Sequence, residues 1–140
     1  MTSNKISFKI ENKLSELNGL CRQVEAFAKK HQLSPKDIFE IHLCLEEHFT
    51  NIISHGYTDS ETHWIEITLS VEGEKFMVHI EDDGIAFNPT KIAAPDFQCP
   101  LEERKIGGLG VYLARHYMDA ITYQRCENKN VLVMTKKYSD

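Results

Sequence analysis

The sequence predicts an α+β domain: a two-layer sandwich in which helices cover one face of a mostly antiparallel mixed sheet. Two observations support this prediction. Apolar and polar residues alternate in short segments typical of strands, and apolar residues recur every three or four positions in longer segments typical of helices. The order strand, helices, hairpin, helix, hairpin favours a sandwich over alternating strand–helix units. At 140 residues, the chain is expected to form a single domain.

The first part of the chain predicts one strand and two helices. Residues 5–10 alternate in polarity, and residues 13–31 carry apolar side chains at helical spacing. Ser34 is a favourable cap for the second helix, because its hydroxyl can accept a backbone N–H of the first turn. Gly56 is expected to end that helix in a left-handed conformation, which glycine adopts at little steric cost.

The second part predicts two hairpins around a helix. Residues 64–71 and 75–81 alternate in polarity on either side of a short turn that contains glycine. Residues 88–106 contain prolines and no periodicity, which is typical of a functional loop. The remaining patterns predict a third helix, two strands and the turn between those strands, at residues 109–118, 121–125, 131–136 and 127–130.

Composition argues against several classes of protein. The formal net charge of −5, with acidic and basic residues interspersed, disfavours a dedicated nucleic-acid-binding protein. No apolar run approaches the roughly 20 residues that span a bilayer, and the N-terminal residues lack the apolar segment of a signal peptide. The four cysteines are scattered without a C-x-x-C pair, which is typical of reduced thiols, so we expect a cytoplasmic protein.

Glu47 and Asn51 lie one turn apart on the second predicted helix, away from its core-facing stripe. Such a pair is commonly a solvated surface pair. Here apolar residues flank the same side of the helix, which favours a site partly shielded from water. The amide oxygen of Asn51 would suit Mg²⁺, which takes oxygen ligands, and Glu47 could accept a proton from a nucleophile.

Asp82 follows the strand predicted at residues 75–81 and lies on the side of its apolar residues, because side chains alternate along a strand. A carboxylate in that position requires a hydrogen-bond donor, and the exocyclic amine of adenine would serve. The alternative is a carboxylate that caps the following turn, which is common in D-x-G sequences. We expect Asp83, on the opposite side, to have the local turn role.

The glycine cluster at residues 107–110 precedes the third predicted helix. Backbone N–H groups at a helix start attract phosphate, although close packing explains such glycines as often. The cluster is neither a Walker A loop nor a dinucleotide-binding fingerprint, since the residues and strands that those motifs require are absent. Arg104 and Lys105 could reach phosphate oxygens or could simply be solvated charges.

Taken together, these stretches resemble the nucleotide site of the GHKL ATPase superfamily. Within that superfamily the chain is most similar to the small bacterial anti-sigma-factor serine/threonine kinases, over nearly its whole length. The segments that carry the resemblance are Glu47…Asn51, Asp82-Asp83-Gly84-Ile85-Ala86-Phe87 and Gly107-Gly108-Leu109-Gly110.

The resemblance implies a role for each of these residues. Glu47 would be the general base, Asn51 the Mg²⁺ ligand and Asp82 the anchor for adenine, with residues 88–106 as a lid over the phosphates. His55 would close its helix or line the pocket. The further residues implied at the ATP are Gly84, Ala86, Phe87, Arg104, Lys105, Gly108, Leu109 and Gly110.

The resemblance also implies partners: a STAS-domain antagonist as the phosphorylated protein, in some members a sigma factor, and often a second copy of the chain. Because the expected base is present, we favour an active ATP-dependent kinase. A nucleotide-gated binding module without phosphotransfer and a plain interaction domain are the alternatives. The chain departs from many superfamily members in lacking a Gly-Thr pair before the last strand, where Asn130 stands, and this leaves one adenine-side contact open.

Overall fold

The computed structural model describes residues 4–86 and 116–138. The described elements form one sheet and two long helices. They are β1 (Lys5–Glu11), a short 3-10 turn (Leu14–Glu16), α1 (Leu17–Lys30), α2 (Pro35–His55), β2 (Trp64–Glu72), β3 (Lys75–Asp82), β4 (Ala120–Cys126) and β5 (Lys129–Lys137). The predicted α+β class and the predicted strands are therefore confirmed. Most of the third predicted helix lies outside the described residues.

The sheet has the strand order β1-β2-β3-β5-β4, and all four described pairings are antiparallel. The hairpin between β4 and β5 is tighter than the sequence predicts. Glu127 and Asn128 alone form its turn, with φ of 50° and 66°. A two-residue turn with both residues in the left-handed region matches the natural twist of a hairpin, so both strands extend further than their apolar patterns.

The ends of α2 follow different rules. At its start the Ser34 hydroxyl accepts the backbone N–H of Asp37 at 3.1 Å, as predicted. At its end the prediction of a left-handed Gly56 is wrong, because Gly56 has φ −82° and ψ −21°. A Cβ built on Gly56 would lie 2.5 Å from the carbonyl oxygen of Ile52. Close approach of the backbone, rather than a positive φ, therefore requires glycine here.

The core lies between the two helices and one face of the sheet. Alternate residues of β2 and β3 are buried, and they meet the apolar stripes of α1 and α2. The largest fully buried side chains are Phe49, Phe76, Leu20, Ile41, Leu45, Ile65, Ile67, Leu69, Ile80, Met134, Val24 and Val78. Among the described residues, neither helix is long and apolar enough to cross a membrane.

A buried ion pair connects the core face of β5 to α2. The Nζ of Lys136 lies 3.0 Å from Oε1 of Glu40 and donates to the backbone oxygen of Tyr117 at 2.9 Å. Both charged side chains are nearly inaccessible to water, so each depends on the other for compensation. Lys136 thus ties α2 and the chain entering β4 to the same strand.

Candidate functional site

A cleft opens between the C-terminal half of α2 and the adjacent ends of β3, β4 and β5. The space inside it that a water-sized sphere can fill is about 30 Å³, which is smaller than the roughly 300–1,000 Å³ usual for small-molecule sites. Its walls are mainly apolar, with a few polar groups. The lining residues among those described are His48, Asn51, Ile52, His55, Gly56, Asp82, Ile85, Tyr123, Asn130 and Leu132.

Asp82 lies at the inner end of this cleft and is 5% exposed. It continues the buried parity of β3, as the sequence predicts. Its Oδ1 accepts the backbone N–H of Gly84 at 2.9 Å and the amide Nδ2 of Asn130 at 3.0 Å. Burial raises the pKa of this carboxyl, while these hydrogen bonds and Arg125 oppose the rise. Both described bonds go to Oδ1, so Oδ2 is left for a donor that enters the cleft.

Asn130 holds this arrangement in place. Its Nδ2 also donates to the backbone oxygen of Ile85 at 2.9 Å, and its Oδ1 accepts the Tyr123 hydroxyl at 2.5 Å. The guanidinium of Arg125 donates to the backbone oxygen of Gly84 at 2.8 Å. The β4–β5 hairpin thereby clamps the turn that follows Asp82. From the sequence alone, Asn130 is only a departure from the pattern of many superfamily members. Its inward parity with Leu132 and Met134 on β5 was the available signal.

Gly84 brings the turn after β3 against the end of α2. A Cβ built on Gly84 would lie 2.6 Å from the backbone oxygen of Gly56 and 2.9 Å from Oδ1 of Asp82. That same oxygen of Gly56 accepts the N–H of Ile85 at 2.8 Å. Two glycines therefore allow helix and turn to touch, and this contact closes one end of the cleft.

Asp83 does not have the local turn role predicted for it, because the N–H of Gly84 donates its hydrogen bond to Asp82. Asp83 points away from the cleft and accepts the Tyr57 hydroxyl at 3.1 Å. Its Oδ2 lies 3.2 Å from Nδ1 of His63, whose Nε2 lies 2.8 Å from Asp59. The Tyr57 ring stacks on His63 with centroids 4.4 Å apart. Hydrogen bonds to Asp59 and then Asp83 raise the pKa of His63, and burial is the main cause of a raised pKa for Tyr57.

Asn51 and His48 bring polar atoms of α2 to the cleft wall. Asn51 is 7% exposed and His48 is 3% exposed. Among the described residues, Nδ2 of Asn51 and Nε2 of His48 have no hydrogen-bond partner, although both atoms are buried. Burial lowers the pKa of His48 to about 4, so its imidazole is neutral near pH 7. Buried polar atoms without partners are uncommon in folded proteins and suit a cleft that receives a polar ligand.

Glu47 lies one turn before Asn51 on α2 and is half-buried. It is not among the described residues that line the cleft, whereas His55, the last residue of α2, is. Ala86 is exposed at the end of the first described range. The remaining predicted site residues lie outside the described residues: Phe87, Arg104, Lys105, Gly108, Leu109 and Gly110.

Comparison with known proteins agrees with this geometry. The model of the family described as histidine kinase-like ATPase domain matches residues 10–136. The serine/threonine-protein kinase BtrW of Bordetella bronchiseptica is 34% identical over 112 residues, covering 80% of this chain and 79% of that protein. The serine-protein kinase RsbW of Bacillus mycoides is 27% identical, with 94% of this chain and 84% of that protein covered. The anti-sigma F factor of Clostridium kluyveri is 26% identical, covering 94% and 93%.

A solved structure supports the fold. The crystal structure of the RsbU and RsbW domains of Rv1364c from Mycobacterium tuberculosis aligns with a TM-score of 0.67 at 13% identity. The alignment covers 99% of this chain and 33% of that one. The chain therefore belongs to the histidine kinase-like ATPase domain family and, as the sequence predicts, to its group of anti-sigma-type serine/threonine protein kinases.

Proposed function

We propose that this protein binds ATP and Mg²⁺ in the cleft between α2 and β3 and transfers the γ-phosphoryl group to a serine or threonine of a STAS-domain antagonist. The observation that carries the proposal is the cleft itself. It is lined by a buried carboxylate, Asp82, and by a buried amide, Asn51, whose Nδ2 has no hydrogen-bond partner among the described residues. An acceptor for the base and a ligand for the metal are thereby available to one nucleotide.

Adenine would bind through Asp82. Its Oδ1 accepts from Gly84 and Asn130, which fixes the orientation of the carboxylate, and Oδ2 would accept from the base. An exocyclic amine at that oxygen would form a hydrogen bond to a charged acceptor, which is stronger than one between neutral groups. In the absence of base the carboxylate is buried without full compensation, and its raised pKa reflects that cost.

Mg²⁺ would be held by Asn51. Asn51 supports this role because its amide is buried at the cleft wall and its Nδ2 has no hydrogen-bond partner among the described residues, which leaves the amide free to turn. An amide that turns its oxygen to the cleft offers the hard ligand that Mg²⁺ prefers. The bound ion would neutralise the charge of the phosphates.

Glu47 would take the proton of the attacking hydroxyl. It lies one turn before Asn51 on the same side of α2 and is half-buried, although it does not line the described part of the cleft. From this position a carboxylate can orient an incoming hydroxyl on the partner protein while water is partly excluded. The presence of Glu47 disfavours the second candidate function, a nucleotide-gated binding module that does not transfer phosphate.

The phosphates themselves would meet residues 107–110, with residues 88–106 as a lid over them. This part of the proposal rests on the sequence pattern and the family, since these segments lie outside the described residues. Slower hydrogen exchange across residues 88–106 on addition of an ATP analogue would support a lid. Equal exchange with and without the analogue would remove it.

The partner-switching role adds three proposals. A sigma factor would be the second protein partner, the active unit would be a homodimer, and the protein would work in the cytoplasm. The free cysteines among the described residues, Cys21, Cys44 and Cys126, suit a reducing compartment. Co-purification with sigma factors and sedimentation at several concentrations would test the first two proposals.

The test of the kinase function is transfer of labelled phosphate from ATP to a STAS-domain protein encoded near this one. Glu47→Gln should slow transfer by roughly 10²–10⁴-fold while ATP binding is retained. Glu46→Gln is the matched control, because Glu46 is the exposed neighbour on the same helix. Binding of ATP by the wild type without any transfer would favour the gated module, and an unimpaired Glu47→Gln would remove Glu47 from the mechanism.

A further inference from the structure

His48 is the buried polar group in the cleft that the proposed mechanism does not use. It follows Glu47 on α2, is 3% exposed, and lines the same cleft as Asp82 and Asn51. Its Nε2 is buried and has no partner among the described residues. The sequence alone predicts no role for His48.

The fold by itself does not require a histidine at this position. A neutral imidazole has one N–H donor and one acceptor nitrogen, and leaving either unpaired in the interior costs stability relative to an apolar side chain. His42, two turns earlier on α2, has the same buried and unpartnered Nε2, but it does not line the cleft. Of these two histidines, His48 is the one that lines the described part of the cleft, and it is also the more deeply buried.

The position of Asp82 orients a purine within this space. With the exocyclic amine at Asp82, the ring nitrogens that flank the amine, N1 and N7, face opposite sides of the cleft. The five-membered ring carries the ribose and therefore the phosphates. Because the phosphates must reach the Mg²⁺ that Asn51 would hold on α2, the N7 edge would face α2 and the N1 edge would face β5. His48 and Asn51 are three residues apart on one face of that helix.

We propose that His48 recognises the purine ring of the nucleotide by donating a hydrogen bond from Nε2 to N7. The proposal rests on the nucleotide function above and adds a residue to it. Asp82 would read the amine, which distinguishes adenine from guanine, and His48 would read the acceptor at N7. In this tautomer the N–H of Nε2, which has no partner among the described residues, would find one in the bound base.

The test compares binding of ATP and 7-deaza-ATP, in which a C–H group replaces N7. The wild type should bind 7-deaza-ATP about 5- to 100-fold more weakly, the range for leaving a buried donor unpaired. In His48→Leu this ratio should fall to near one, because neither nucleotide meets a donor. Calorimetry or a thermal-shift titration with both nucleotides completes the double-mutant cycle.

His42→Leu is the control, since it removes a less buried imidazole of the same helix that does not line the cleft, and it should leave the wild-type ratio unchanged. If His48→Leu does not fold, His48→Gln takes its place. Because glutamine retains a donor, this variant should keep the wild-type ratio of affinities for ATP and 7-deaza-ATP. Equal affinity of the wild type for both nucleotides, or an unchanged ratio in a folded His48→Leu, would overturn the assignment while ATP binding stands. Failure of the wild type to bind ATP at all would remove the nucleotide function and this assignment with it.

Discussion

Asp82 and Asp83 are adjacent in sequence, yet each belongs to a different kind of polar group. The inner group consists of Asp82, Asn130, Asn51 and His48; it is buried and lines the cleft. The outer group consists of Tyr57, Asp59, His63 and Asp83; it is half-buried or exposed and lies on the opposite side of the β3 end.

The two groups differ in how completely their hydrogen bonds are made. In the outer group both nitrogens of His63 contact carboxylates and the Tyr57 hydroxyl has an acceptor. In the inner group the more deeply buried atoms include two without partners among the described residues. Since an unpaired polar atom is costlier in the interior than at the surface, the arrangement is the reverse of what stability alone would favour. The difference is what we expect if the inner group is the proposed ligand site and the outer group stabilises the fold.

The largest effect expected from this contrast is on acid stability. Burial lowers the pKa of His48 from 6.5 to about 4, so the unfolded chain takes up a proton between these values and the folded chain does not. The neutral form therefore contributes stability that is present above pH 6.5 and lost as the pH falls toward 4. Relative to His48→Leu, the wild type should lose on the order of 3 kcal/mol over that interval. Urea unfolding at several pH values measures it, with His42→Leu expected to keep the wild-type loss.

Next in size is the effect of the two aspartates on nucleotide affinity. Asp82→Asn removes a charged acceptor from the inner group while an amide oxygen still meets the N–H of Gly84. Affinity for ATP should fall roughly 10- to 150-fold, the value of about 1.5–3 kcal/mol for a hydrogen bond to a charged group. Asp83→Asn, the adjacent change in the outer group, should bind ATP as the wild type does. Equal losses in the two variants, measured by calorimetry, would abolish the distinction between the groups.

The sequence predicted this distinction only in part. Strand alternation placed Asp82 on the buried face, because period-two patterns report which side a residue faces. Side chains that meet across the fold were beyond such patterns: Asn130 on β5 reaches Asp82 only through the pairing of β3 with β5, and His63 reaches Asp83 across the end of the sheet. The sequence also assigned the local turn to the wrong aspartate, because Asp82 in a D-x-G pattern and Asp83 in a D-G pattern fit a turn equally well.

Similarly, a helical wheel located Glu47 and Asn51 on one side of α2 but could not show that the half-apolar side faces a cleft. The conformation of Gly56 was also out of reach. Glycine at a helix end usually reports a positive φ, whereas here the carbonyl of Ile52 leaves no space for a Cβ on Gly56. The first point is decided by contacts between segments distant in sequence, and the second by the close approach of one helical turn to the next.

Substitution of Asn130 tests how much the hydrogen bonds of this side chain stabilise the inner group. Asn130→Ala removes donors to Asp82 and Ile85 and the acceptor of the Tyr123 hydroxyl. The free energy of unfolding should fall by about 1–3 kcal/mol, because buried partners are left unpaired. Asp59→Ala, which removes one contact of the outer group, should cost less since that carboxylate is exposed. Urea unfolding that ranks Asp59→Ala above Asn130→Ala would contradict the greater weight given to the inner group.

The smallest effect expected is a pH dependence of opposite sign in the outer group. Asp59 and then Asp83 raise the pKa of His63 above 6.5, so the folded chain holds a proton that the unfolded chain has released. This contribution to stability is fully present below pH 6.5 and is lost as the pH rises through the higher folded value. The thermal midpoint of the wild type should therefore exceed that of His63→Gln at pH 6, and the gap should close at alkaline pH. A gap that widened with rising pH would mean that His63 is neutral between its two carboxylates. The outer group would then have to be stabilised by other contacts.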